Sequence, residues 1–101
     1  MTPPVIVTRS DRGLEVHVAA VPGWDGFDKL TQYVIKHHAA LVLSSVDGPD
    51  ARVRRFQVGS TEVVLDYEDP YGNTFVAADP PCPVLLRIAS DLERRLGGPT
   101  A

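Results

Sequence analysis

Asp69-Pro70-Tyr71-Gly72-Asn73, set between two runs rich in β-forming residues, constrains the fold more than any other stretch of this chain. Proline pre-sets φ at the first corner, the aspartate before it can bond the turn backbone, and Gly72 can adopt the left-handed conformation that closes a three-residue loop. That loop pairs Asp69 with Asn73, hence Tyr67 with Phe75 and Leu65 with Ala77. A second turn, Gly59-Ser60, carries glycine at the first corner of a two-residue loop, the type II′ pattern, and pairs Val58 with Thr61 and Phe56 with Val63. Read independently, the two turns put Phe56, Val58, Val63, Leu65, Tyr67 and Phe75 on one face, and such agreement between local and global signals marks a specified fold.

One detail cuts across this pattern. Strict alternation places Arg52 and Arg54 on the apolar face and turns Val53 outward. A bulge at Arg54-Arg55, or an early end to pairing, would return Val53 to the core side and release the arginines to solvent, and the bulge is the expectation.

Upstream, Val5 to Arg9, the turn cluster Ser10-Asp11-Arg12-Gly13 and the alternating Leu14 to Ala20 read as a hairpin with Leu14, Val16, Val18 and Ala20 inward and Glu15 and His17 outward. Phe27, Leu30, Val34 and His38 recur at helical spacing, so a helix is expected from about Gly26 to His38 with Asp25 as its N-cap. The apolar run Ala39 to Val46, closed by Asp47-Gly48-Pro49-Asp50, suggests a central strand. Asp79-Pro80-Pro81-Cys82-Pro83 stops the sheet and starts a second helix, whose stripe is Leu85, Ile88, Ala89, Leu92 and Leu96 and whose end is Gly97-Gly98-Pro99. The order ββαββββα implies an α+β fold over residues 1–101 as one domain, its sheet largely antiparallel and both helices on one face.

A chain of 101 residues buries about 65% of its unfolded surface around a single core. Its 44% hydrophobic and 23% charged residues place it among globular rather than disordered chains. A formal charge of −3 disfavours nucleic acid as a partner, because phosphate binding needs a positive field. Neither a signal-peptide pattern nor a long apolar run is present, so no membrane association is expected and the cytoplasm is the expected location. The lone Cys82 excludes an internal disulfide and a cysteine-based zinc cage within one chain.

Catalytic signatures are missing. His37 and His38 are adjacent and lie about 100° apart on a helix, too far round to chelate one ion together, and Cys82 has no base in its neighbourhood of sequence, so it reads as a small hydrophobe at a sheet-to-helix corner. No catalytic residue, metal ligand or cofactor is assigned. What remains is a charged outward surface: Glu62, Asp66 and Glu68 share the side away from the core, with Arg52, Arg54 and Arg55 as cross-strand partners and Tyr71 at the tip of a turn. These seven residues are the candidate binding surface, and mixed charges of this kind steer and match a protein partner.

The pattern Phe56-Gln57-Val58-Gly59, then Val64-Leu65-Asp66-Tyr67-Glu68, then a strand and a C-terminal helix, resembles small bacterial proteins classed as domains of unknown function. The resemblance covers the second half of the chain and implies an α+β fold and a bacterial source, without chemistry. A first-strand His17 together with the D-P-x-G-N turn at Asp69 to Asn73 is also similar to modules of the vicinal-oxygen-chelate superfamily, which would imply metal or small-molecule binding; Val76 stands where that family places its strand glutamate. The sequence is therefore read as a non-enzymatic binding module with a protein partner, a bacterial interaction protein or inhibitor of the immunity type, with the chelate-type module as the alternative. Oligomeric state is left open, since edge strands can pair between subunits.

Overall fold

In the computed structural model, which describes residues 3–78 and 82–97, the Gly59-Ser60 turn joins β4 (Ala51–Val58) to β5 (Thr61–Glu68) with Val58 opposite Thr61 and Phe56 opposite Val63. Gly59 has φ 62, the positive value that the first corner of a type II′ turn requires. β6 (Gly72–Ala77) then runs back along β5, and β2 (Gly13–His17) and β1 (Ile6–Ser10) extend the sheet on that side. β3 (Leu41–Asp47) closes the other side, giving a six-stranded antiparallel sheet of order β1-β2-β6-β5-β4-β3. Helices α1 (Gly23–His38) and α2 (Pro83–Leu96) cover one face, α1 over β5 and β6 and α2 over β2 and β6. The element order is ββαββββα, an α+β fold.

The expected inner face holds. Phe56, Val58, Val63, Leu65, Tyr67 and Phe75 are all buried, joined by Leu14, Val16 and Val18 from the first hairpin, by Phe27, Leu30 and Val34 of α1, and by Leu85, Ile88, Ala89 and Leu92 of α2. Ala20 is the exception: β2 ends at His17, and Ala20 is exposed. Cys82 is buried at the N-cap of α2, packed with the core. The Asp79-Pro80-Pro81 stop and the Gly98-Pro99 end of the second helix lie outside the described residues.

Three expectations are corrected. The β5–β6 hairpin pairs Glu68 with Gly72, Tyr67 with Asn73 and Leu65 with Phe75, so its loop is Asp69-Pro70-Tyr71 and the register differs by two residues from the one inferred from turn chemistry. A two-residue slip leaves every side chain on its own face, which is why hydrophobic patterning could not detect it. β3 is an edge strand, not a central one, although four of its seven residues are large and apolar. Finally, β4 and β5 pair without interruption from Ala51–Glu68 to Val58–Thr61, so there is no bulge at Arg54-Arg55; the irregularity falls in β3, where Leu43 is left without a cross-strand partner between Val42–Phe56 and Ser44–Arg55.

Helix α1 begins three residues before its expected start, and Asp25 lies in its first turn instead of capping it. The cause is Asn73. Its fully buried side chain donates from Nδ2 to the carbonyls of Val21, at 2.9 Å, and Gly23, at 3.1 Å, which ties the loop before α1 to the sheet. Gly26 completes this contact, since a Cβ there would come within 2.9 Å of the Val21 carbonyl oxygen. Asn73→Ala strands both carbonyls and is expected to cost about 1–3 kcal/mol, read as a lower urea midpoint with an unchanged denaturant slope.

Candidate functional site

Helix cover on one side leaves the other face of the sheet open, and the register arranges its side chains in rows that cross the strands. His17, Thr74, Asp66, Val53 and Val46 form one such row from β2 to β3. Glu15, Val76, Val64, Arg55 and Ser44 form the next. Arg12, from the β1–β2 turn, bridges Asp66 at 2.8 Å and Glu15 at 3.3 Å, so it spans β6 where Val76 is buried. Arg55 makes a two-pronged ion pair with Glu62, 2.6 Å from Nη2 and 3.1 Å from Nε. Glu68 and Tyr71 are exposed at the hairpin tip.

Arg52 and Arg54 do not join them. Uninterrupted alternation sends both to the helix-covered face, where Arg52 is only 5% exposed. Its guanidinium lies between two rings, 4.4 Å from the centroid of Trp24 and 4.4 Å from that of Phe27, and donates to Asp28 and Asp47, each at 3.0 Å, and to the Trp24 carbonyl at 3.1 Å. Cation–π contact on both sides and three acceptors around the fork compensate the lost hydration. Arg54 stacks on Phe27 at 4.9 Å and donates to Thr31 Oγ1 and Ser45 Oγ. Through Asp47 and Ser45 both arginines hold β3 from beneath. Of the seven residues singled out from sequence, Arg55, Glu62, Asp66 and Glu68 share the open side, Tyr71 is exposed at the hairpin tip, and Arg52 and Arg54 brace the edge from the other side.

Sequence reasoning missed the edge itself. Leu41, Val42, Leu43 and Val46 of β3 are between 47% and 67% exposed, because α1 lies over β5 and β6 and does not reach this far. Val46, opposite Val53, and Leu41, opposite Gln57, sit on the open face and make an apolar margin to the charged surface. β3 also presents an unpaired backbone edge. The opposite edge, β1, is shorter and carries Arg9, one of the ordinary guards against strand addition, whereas β3 contains no cation.

On the helix side, a second arrangement joins the end of α1 to α2. The Tyr33 hydroxyl donates to Asp91 Oδ2 at 2.5 Å; its single proton is thereby committed, and it accepts from His38 Nε2 at 2.7 Å. Arg95 donates to the same carboxylate at 2.8 Å, and Arg94 binds its other oxygen. The Tyr33 hydroxyl, with Arg95 and Arg94 behind it, holds the Asp91 carboxyl well below the usual carboxylate range. Burial, and then Asp91, push the Tyr33 phenol up, while burial pushes His38 down against the pull of Asp91. The sequence showed His38 only as a residue at a helix C-terminus; its partner Asp91 is 53 positions away and nothing local announces it.

His17 pairs with Thr74 across the strands, its Nδ1 3.1 Å from the threonine hydroxyl. Among the described residues no group of three or more His, Cys, Asp and Glu side chains is placed to hold a metal ion, and no helix is long and apolar enough to cross a membrane.

Arg52→Ala is expected to lower stability by about 2–3 kcal/mol in urea unfolding, with Arg52→Lys recovering only part, because an ammonium keeps the charge but not the planar fork. His38 supplies a pH dependence. Its folded-state value lies below the ordinary 6.5, so the unfolded chain takes up the proton more readily. Stability is therefore highest above the ordinary 6.5 of the unfolded chain, falls as the pH drops below it, and levels once the folded form also titrates. Urea midpoints from about pH 8 to about pH 5 are expected to decline, and His38→Gln to flatten the decline. The chain matches no family model, no curated protein and no solved structure, so its function has to be argued from these two surfaces.

Proposed function

We propose that the chain is a non-enzymatic binding module whose partner is another protein, engaged along edge β3 and the open face beside it. An interaction protein or inhibitor of the immunity type, working in a bacterial cytoplasm, is the role this reading favours. The observation that carries it is β3: a seven-residue edge with four exposed large apolar side chains, no cation and no helix above it. Monomeric proteins blunt such edges, since an unpaired apolar strand recruits other chains.

The charges fit the same role. Apolar residues at Leu41, Val46 and Val53 supply area to bury, and the Arg55–Glu62 and Arg12–Asp66 pairs form a polar rim that sets orientation more than affinity. Tyr71, exposed at the hairpin tip, adds an aromatic anchor. Backbone pairing at β3 would continue the sheet into the partner, with Ser44 to Asp47 as the regular part beyond the Leu43 bulge.

Co-expression of the tagged chain with the product of the neighbouring gene, followed by mass measurement in solution, tests this. A complex of fixed stoichiometry is expected, lost in Val46→Lys and weakened in Asp66→Arg and Tyr71→Ala, but kept in Lys29→Glu on the exposed side of α1. All four sites are at the surface or only partly buried, so melting temperatures should change little. A complex that survives Val46→Lys and Asp66→Arg removes the proposed surface. A chain that pairs with itself through β3, and is dissociated by Val46→Lys, removes the separate partner.

A further inference from the structure

The helix side of the molecule carries a feature that protein binding at β3 does not use. Between the last turn of α1 and the outer side of α2 lies an open cleft of about 760 Å³. Four permanent cations line it, Lys36 from α1 and Arg87, Arg94 and Arg95 from α2, against one carboxylate, Asp91. The chain as a whole has a formal charge of −3, so this concentration of positive charge runs against its average.

Helix dipoles account for part of the cluster. Lys36, Arg94 and Arg95 stand in last turns, where cations are favoured. Arg87 does not: it lies in the first half of α2, where the dipole gives a cation no support. Asp91 offsets one of these four charges and leaves an excess of three, and its two oxygens are occupied by Tyr33, Arg94 and Arg95. Its effect is to fix the two guanidiniums in place, each with N–H groups to spare beyond this one bond. Arg95 has a further contact, 3.3 Å from Nη2 to His37 Nδ1. Among the described residues, Arg87 and Lys36 make no side-chain hydrogen bond or ion pair. Pre-positioned arginine forks beside free cations suit an oxyanion with several oxygens, and a cleft walled by one sign of charge focuses its field outward.

We infer that this cleft binds a small phosphorylated ligand, recognised by its phosphoryl oxygens through Arg87, Lys36 and the Asp91-anchored guanidiniums of Arg94 and Arg95. Its volume lies within the usual range of small-molecule sites. The rings that line it, His37 and His38, both pack against Tyr33, so the phosphoryl charge, not a stacked base, is what the site selects.

The test uses the intact chain, titrated with inorganic phosphate and with pyrophosphate at low ionic strength by calorimetry and by amide chemical shifts. Saturable binding is expected, tighter for pyrophosphate, with shifts confined to Lys36–Ala39 and Arg87–Arg95. Arg87→Gln and Lys36→Gln, both at exposed positions, should each weaken pyrophosphate binding about tenfold with unchanged melting temperature. Val46→Lys should leave it unaltered, which separates this site from the β3 surface. Absence of saturable binding overturns the inference, as does full affinity in both cleft variants, or competition by a polyglutamate peptide as effective as pyrophosphate.

Discussion

A buried arginine between two aromatic rings determines where the core of this protein stops. Arg52 occupies the inner face of β4, under α1, at a position that strand alternation reserves for an apolar side chain. Trp24 and Phe27 sandwich its guanidinium, and Asp28, Asp47 and the Trp24 carbonyl receive its protons. A charge in such a place costs several kcal/mol in lost hydration unless its donors are met, and here all three directions of the fork are. Arg54 repeats the device one step along the strand, against Phe27, Thr31 and Ser45. Together they form a polar seal at the margin of α1. β3 lies beyond the seal, held by Asp47 and Ser45 but covered by neither helix, which is how an apolar strand comes to be exposed.

How much of this could be read from the sequence depends on the range of the signal. The inner face from Phe56 to Phe75 was legible because the period of a strand and the chemistry of two turns are local, and each confirmed the other. The helix stripes were legible for the same reason. The hairpin register at Asp69 to Asn73 was not, because the decisive contacts of Asn73 are to Val21 and Gly23, some 50 positions upstream. The position of β3 was hidden by an assumption that apolar runs are central, when topology alone returns the chain from α1 to the outside of β4.

The arginines show the same division. Alternation placed Arg52 and Arg54 inward, and it was the cost of burying charge that argued for a bulge to release them. Alternation prevailed because α1 brings Trp24, Phe27 and Asp28 to meet the guanidiniums, and no sequence window contains both halves of that contact. For the candidate surface the consequence is a change of role. Arg55, Glu62, Asp66 and Glu68 remain on the open side with Tyr71 at the hairpin tip, while Arg52 and Arg54 shape the edge from beneath.

The open face and the cationic cleft lie on opposite sides of the sheet. The link from α1 to β3 is short. α1 ends at His38, Ala39 adopts a left-handed conformation with φ 53 and returns its backbone N–H region to the helix end, and after Ala40 the chain enters β3 at Leu41. Ala39 also lines the cationic cleft. A β-carbon at positive φ has little conformational latitude, and Ala40, buried beside it, donates to the Val34 carbonyl. The connection is thus rigid, and rigidity alone transmits nothing: energetic coupling between two sites needs an element with two arrangements that each ligand favours unequally. With Asp91 fixing the cleft arginines, and Arg52 and Arg54 fixing the edge, each proposed site is pre-formed in its own right, and the physical expectation for the two proposed binding events is independence.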